Sequence, residues 1–171
     1  SSAIPILIKV LEDTSQEPMV RHEAAEALGA IAREDVVPIL KRFEHDPVVE
    51  VAETCQLALD RVEWIKHPDN RLLTDYNPYH SVDPAPPASS NNIDELKSIL
   101  LNEEATLFER YRAMFALRNL RTPDAVRALG TALKCGSALF RHEIGFVLGQ
   151  LQDGEGIPYL KESLEDNNEN E

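Results

Sequence analysis

The sequence has few of the features that mark secreted, membrane-spanning or nucleic-acid-binding proteins. It contains only two cysteines, Cys55 and Cys135, which excludes a disulfide framework and a cysteine-based zinc site, so a cytoplasmic location is expected. We expect both thiols to be buried and unreactive. No apolar run approaches the roughly 20 residues that cross a bilayer, so no membrane association is expected. The net charge of -13 opposes binding to nucleic-acid phosphates and favours a cationic partner.

A repeated motif organises the sequence. Arg21-His22-Glu23 recurs 120 residues later as Arg141-His142-Glu143, in each case within an apolar pattern of helical period. Two degenerate copies, residues 51–59 and 109–117, each lie 31 residues from the nearer complete copy. The sequence therefore predicts four equivalent helices, of which only the outer two carry a His-Glu pair.

Each of these four helices follows a shorter stretch that also has apolar residues at helical spacing. The shorter stretches are residues 4–11, 36–43, 93–101 and 125–133. Turns separate the two members of each pair, with proline or glycine in most of them, so the repeating unit is a helical hairpin. Because one hairpin cannot bury its apolar face alone, the copies predict an all-α fold of stacked HEAT-like helical-hairpin repeats, an α-solenoid.

A segment rich in proline, asparagine and serine divides the repeats into two lobes. We predict a first lobe of two hairpins at residues 1–63, an interlobe linker at 64–92, and a second lobe at 93–164. The second lobe has two hairpins and the start of a third, and the acidic tail at 165–171 is expected to be disordered. Because both ends interrupt a repeat, we expect a central piece of a longer protein.

The two His-Glu pairs are candidate metal ligands. Neutral imidazole and carboxylate suit iron, manganese or zinc. Since they hold equivalent repeat positions, His22 and His142 are expected to lie at the same depth in their repeats. Adjacent residues on a helix diverge by roughly 100°, so one helix is not expected to aim both members of the pair His22-Glu23 or His142-Glu143 at one ion. Other helices would have to complete the site.

An interpretation without metal is also open. Duplication could have copied a surface in which each histidine stacks on a neighbour and each glutamate pairs with Arg21 or Arg141. The protein would then be a metal-free HEAT-repeat scaffold for protein interactions. Gly29 and Gly149, which follow the pairs, are expected to allow close helix packing or a bend.

The remaining polar candidates receive no catalytic role. Three histidines share no repeat position and are expected to be solvated; they are His45, His67 and His80. Tyr111 and Arg112 replace the His-Glu pair in a middle copy, where we expect a role in the core or the lobe interface.

Several longer stretches resemble the deoxyhypusine hydroxylase family. These stretches are residues 17–29, 52–56, 81–87, 108–119 and 135–143, which surround both complete motifs and reach into the linker. The resemblance implies two HEAT-repeat lobes around a di-iron centre, which uses O2 to hydroxylate a deoxyhypusine residue to hypusine on eukaryotic translation initiation factor 5A.

The resemblance also implies roles for individual residues. The family uses four His-Glu pairs, of which His22-Glu23 resembles the second pair of the first lobe and His142-Glu143 the first pair of the second. It implies that His22, Glu23 and His142 ligate iron, and that Glu143 ligates iron or orients the substrate amine. With half of the expected site, the chain alone is expected to bind iron weakly and to be inactive, whereas a homodimer would restore four pairs.

Overall fold

The computed structural model describes residues 3–67, 70 and 77–167, and these contain α-helices and no β-strand. The predicted all-α class is therefore confirmed. The helices are α1 (Ile4–Glu12), α2 (Pro18–Ile31), α3 (Val37–Phe43), α4 (Val49–Lys66), α5 (Ile93–Leu101), α6 (Leu107–Leu120), α7 (Pro123–Thr131), α8 (Ala138–Leu151) and α9 (Ile157–Leu164). None of these described helices combines the length and the hydropathy needed to cross a membrane.

The chain divides into two compact units. Unit 1 contains Ser1–Tyr76 and Ser81–Ala85, and unit 2 contains Asn77–His80 and Pro86–Glu171. The lobe and linker boundaries predicted above remain predictions, because parts of the linker and tail, residues 68, 69, 71–76 and 168–171, lie outside the described residues.

The ends of the longer helices follow local sequence rules. Thr106 and Ser137 cap α6 and α8, since each hydroxyl accepts a hydrogen bond from a backbone N–H of the first turn. Helices α2, α6 and α8 are followed by Ala32, Arg121 and Gln152, which have positive φ angles of 52°, 54° and 51°. These three residues hold the same position in the repeat, so three copies share one left-handed C-terminal turn.

Unit 1 is built from two helical hairpins, α1–α2 and α3–α4, whose second helices pack against each other. A β-carbon added to Gly29 on α2 would lie 2.6 Å from Cβ of Ala58 on α4, so the absence of a side chain allows this close approach. The prediction of close packing is therefore confirmed at Gly29. Its repeat equivalent Gly149 has no such close contact, because an added β-carbon would meet no described atom within 4 Å, and the alternative of a bend stays a prediction.

Unit 2 repeats the hairpin arrangement with α5–α6 and α7–α8, and α9 begins a further hairpin. Its core contains Tyr111 from α6, which is 1% exposed and lies against Phe115 and Phe140 at ring-centroid distances of 6.2 and 5.9 Å. The predicted core position for Tyr111 is confirmed. An aromatic side chain thus fills, in the first hairpin of unit 2, the repeat position that His22 holds in the first hairpin of unit 1.

Candidate functional site

Helix α2 carries the first His-Glu pair, and its two side chains approach each other. His22 is 2% exposed, whereas the Glu23 side chain is 67% exposed. The His22 Nε2 and Glu23 Oε1 atoms are 3.7 Å apart, less than twice a metal–ligand distance of about 2.1 Å, so one ion could contact both. The two side chains thus approach each other although their Cα–Cβ bonds diverge, and the prediction that one helix does not easily aim both residues at one ion stays a prediction.

The other nitrogen of His22 faces α4. His22 Nδ1 lies 3.4 Å from Oγ1 of Thr54, a residue that is 4% exposed. Sequence reasoning missed Thr54 because it is neither a typical ligand nor part of a His-Glu pair. Its position was nevertheless visible in the repeat, since Thr54 lies 31 residues after Glu23.

A second carboxyl group, Glu26, lies on α2 close to one helical turn after the pair. Burial and, to a smaller extent, the negative charges of Glu23 and Asp83 together raise its pKa to about 7. Asp83 belongs to the segment Ser81–Ala85, which Arg61 holds against unit 1: Arg61 donates to the backbone oxygens of Asp83 at 3.2 Å and Gly29 at 2.8 Å. The surroundings of Glu26 therefore favour either its protonated form or a nearby cation.

The arginine before the first pair is a structural residue. Arg21 donates to the backbone oxygen of Leu11 at 3.0 Å and forms an ion pair with Asp46 at 2.6 Å, with both charged side chains about 5% exposed or less. The expectation that Glu23 pairs with Arg21 in the metal-free interpretation is therefore wrong. Asp46, which follows α3, is the carboxylate that pairs with Arg21 near the start of α2.

Helix α8 carries the second pair in a different environment. His142 is exposed and Glu143 is half-buried, so the two histidines differ in burial although they hold equivalent repeat positions. The difference follows from the order of the helices. In unit 1, α4 packs on the face of α2 that bears His22, whereas α8 is itself the unit 2 counterpart of α4, and no later second helix is among the described residues.

The two pairs belong to different units, His22-Glu23 to unit 1 and His142-Glu143 to unit 2. Within residues 3–67, 70 and 77–167, no group of three or more His, Cys, Asp or Glu side chains is arranged to hold a metal ion. Unit 1 therefore offers two convergent donors, which by themselves form an incomplete coordination shell.

The two cysteines differ in burial. Cys55 is fully buried, and burial raises the pKa of its thiol to about 12. Cys135 is half-buried rather than buried as predicted, because it lies at the turn before α8, although burial still raises the pKa of its thiol. Both groups remain protonated thiols at neutral pH, which fits the expectation that they are unreactive.

Comparison with known proteins connects this geometry to a family. A model described as "HEAT repeats" matches residues 1–60, and one described as "PBS lyase HEAT-like repeat" matches residues 109–135 and 140–166. Deoxyhypusine hydroxylase of Drosophila melanogaster is 59% identical over 172 residues, covering 100% of this chain. Over its whole length the chain is similar to deoxyhypusine hydroxylases. The enzyme of Danio rerio is 60% identical over 171 residues, covering 99% of the chain.

A solved deoxyhypusine hydroxylase has the same fold. The human enzyme in complex with glycerol superimposes with a TM-score of 0.92 at 55% sequence identity, covering 99% of this chain and 58% of that chain. The present chain spans 56% of the length of the Drosophila and Danio deoxyhypusine hydroxylases. The predicted HEAT-type repeat architecture is confirmed by these matches.

Proposed function

We propose that the chain contributes part of an O2-dependent, iron-containing hydroxylase that converts deoxyhypusine to hypusine on eukaryotic translation initiation factor 5A. The names of the relatives support the reaction, and the approach of His22 Nε2 and Glu23 Oε1 to 3.7 Å is the observation that carries the assignment to this chain. The relatives are longer than this chain, so the activity of the whole enzyme is part of the proposal.

The donor chemistry fits a non-haem iron site. Sites with mixed histidine and carboxylate ligands and open coordination positions are typical of iron proteins that react with O2. We propose that His22 and Glu23 hold one iron ion and that His142 contributes to a second. Glu143 either joins the second ion or orients the substrate amine. Because two donors form only a partial shell, further donors must come from a second copy of the chain or from additional repeats.

Bound iron would supply the activation of O2 that hydroxylation of an unactivated C–H bond requires. The protein side chains would bind and orient the substrate. Deoxyhypusine carries amino groups that are protonated at neutral pH, and the chain has a net charge of -13. The carboxylate of Glu23 adds local negative charge beside His22, and Glu26 would be ionised when a cation is near, so both would favour a cationic side chain beside α2. A cytoplasmic location is part of the proposal and agrees with two free thiols.

A metal-free scaffold is the second candidate function, and one observation favours it. Phe146, one turn after His142 on α8, is 53% exposed, and added β-carbons at Gly145 and Gly149 would meet no described atom within 4 Å. This face of α8 could accept a helix from another protein without any metal.

Metal binding to the histidine variants distinguishes the two functions. We would load the chain with Fe2+ under anaerobic conditions, and compare the wild type with His22→Asn, His142→Asn and the control His45→Asn, in which the side chain that is lost is 86% exposed. The proposal predicts that Fe2+ affinity falls in the first two variants and not in the control. Sedimentation with and without Fe2+ tests whether a homodimer completes the site.

The double variant His22→Asn/His142→Asn provides the contradicting result. If the wild type binds no more Fe2+ than this double variant, the metal site is wrong. If that double variant also binds the deoxyhypusine form of the initiation factor as tightly as the wild type, the scaffold is the better function.

A further inference from the structure

The hydroxyl group of Thr54 makes two contacts, and the first of them determines which atom donates the proton in the second. Thr54 Oγ1 lies 2.7 Å from the backbone oxygen of Glu50, one turn earlier on α4, and 3.4 Å from Nδ1 of His22 on α2. A carbonyl oxygen can only accept, so the single hydroxyl proton of Thr54 is donated to Glu50. Toward His22 the same oxygen can then only accept, which requires that Nδ1 carries a proton.

The opposite arrangement of protons fits these distances poorly. If Nε2 of His22 carried the proton, it would point to Oε1 of Glu23 at 3.7 Å, which is longer than the 3.4 Å between Nδ1 and Thr54 Oγ1 and too long for a hydrogen bond. Nδ1 would then need the Thr54 proton at 3.4 Å, and the short contact of 2.7 Å between Thr54 Oγ1 and the Glu50 oxygen would lose its hydrogen bond. Neutral His22 is therefore better described as the Nδ1–H tautomer, with its lone pair on Nε2 beside Glu23.

We propose that Thr54 is a positioning residue, which holds His22 in the tautomer and ring orientation that presents Nε2 to a metal ion shared with Glu23. The metal part of this inference rests on the proposed function, whereas the tautomer is a property of the protein without metal. Histidine ligands commonly donate their second N–H to a neighbouring acceptor, and loss of such a partner typically lowers metal affinity by about 10- to 100-fold.

The repeat places Thr54 where a ligand stands in another copy. Thr54 occupies the repeat position of Glu23 on the next second helix, and Glu53 occupies that of His22. The face of α4 that bears Thr54 packs on α2, where a side chain that accepts a hydrogen bond supports the neighbouring histidine. In the first hairpin of unit 2 the position of His22 is taken by Tyr111, which has no imidazole to orient.

Two variants separate the hydrogen bond from the packing of Thr54. Thr54→Val keeps the shape of the side chain and removes the oxygen, whereas Thr54→Ser keeps the oxygen. Nitrogen-15 NMR of the histidine rings at pH 8, in metal-free protein and with His22→Asn for assignment, reports the tautomer. Fe2+ affinity is measured under anaerobic conditions for the same proteins, and thermal unfolding tests whether each variant is folded.

The proposal predicts the Nδ1–H tautomer of His22 in the wild type and in Thr54→Ser. In Thr54→Val, we expect a shift toward the Nε2–H form and an Fe2+ affinity lower by about 10- to 100-fold. An Nε2–H tautomer in the wild type would overturn the proposal without any variant, even if Thr54→Val failed to fold. An unchanged tautomer in folded Thr54→Val would overturn it as well.

The hydrogen bond between Thr54 and His22 and the metal site can be contradicted separately. If the tautomer moves with Thr54 as expected but the wild type binds no Fe2+, the hydrogen bond is correct and the metal site of the proposed function is wrong. If the wild type binds Fe2+ and Thr54→Val binds it equally well, the metal site stands and the positioning role is overturned.

Discussion

Replacing Glu26 with glutamine removes a half-buried carboxyl group that has two acidic neighbours, and its effect on stability should depend on pH. The pKa of Glu26 is raised from 4.5 to about 7 in the folded protein, by burial and by the charges of Glu23 and Asp83. Between these two values the folded state binds more protons than the unfolded state. The free energy of unfolding therefore falls as pH rises through this window, and the loss is complete above about pH 7.

The size of this loss follows from the shift. A difference from 4.5 to about 7 corresponds to at most about 3 kcal/mol at 1.36 kcal/mol per pKa unit. Solvent reaches part of the Glu26 side chain, so we expect a measured effect of about 1–2 kcal/mol. Glutamine is neutral at all of these pH values and avoids the penalty, so Glu26→Gln should be more stable than the wild type at pH 8 and similar to it at pH 5.

Urea unfolding of the metal-free chain at pH 5 and pH 8 measures this difference directly. The control is Glu104→Gln, because Glu104 is an exposed glutamate in the turn before α6 and its replacement should change little at either pH. A Glu26→Gln variant that is less stable than the wild type at pH 8 would refute the reasoning, since it would mean that a cation or donor stabilises the carboxylate. An equal change at both pH values would also refute it, because the effect would not come from ionisation.

Two further predictions concern packing in unit 1. Arg21→Ala leaves the carboxylate of Asp46 buried without its ion-pair partner, so the free energy of unfolding should fall by about 3–5 kcal/mol in urea or thermal unfolding. A fall of less than about 1 kcal/mol would contradict the assigned ion pair. Gly29→Ala forces a new β-carbon against Ala58 and should lower the free energy of unfolding by about 1–3 kcal/mol. Gly149→Ala places its β-carbon away from every described atom and should be neutral or stabilising by up to about 1 kcal/mol. Equal effects of the two substitutions would contradict this difference in packing.

The helices could be predicted from the sequence because several independent signals agree. The apolar period, the 31-residue offset and the proline or glycine turns place the same elements, and the first helix of each predicted hairpin begins within two residues of the described one. Burial of Tyr111 in unit 2 could also be predicted, because an aromatic residue in the repeat position of a ligand suits a core better than a metal site.

The geometry of the candidate site could not be predicted to the same extent. The distance between His22 and Glu23 depends on side-chain torsions, which helix periodicity does not determine. The contacts of Thr54 and Asp83 with α2 depend on which helix and which returning segment cover it. Such contacts arise between elements distant in the sequence, so a pattern within one helix cannot specify them.

The two copies of the Arg-His-Glu motif differ because a repeat position determines which way a side chain faces, but not what covers it. His22 and Gly29 lie on a face of α2 that α4 covers, whereas His142 and Gly149 lie on the corresponding face of α8, which no described second helix covers. The presence or absence of a covering second helix therefore accounts for both the burial of the histidine and the packing of the glycine. Any helix that packs on α8 as α4 packs on α2 should bury His142 and approach Gly149 closely, and its residue opposite His142 would then decide which ring nitrogen is available to a metal.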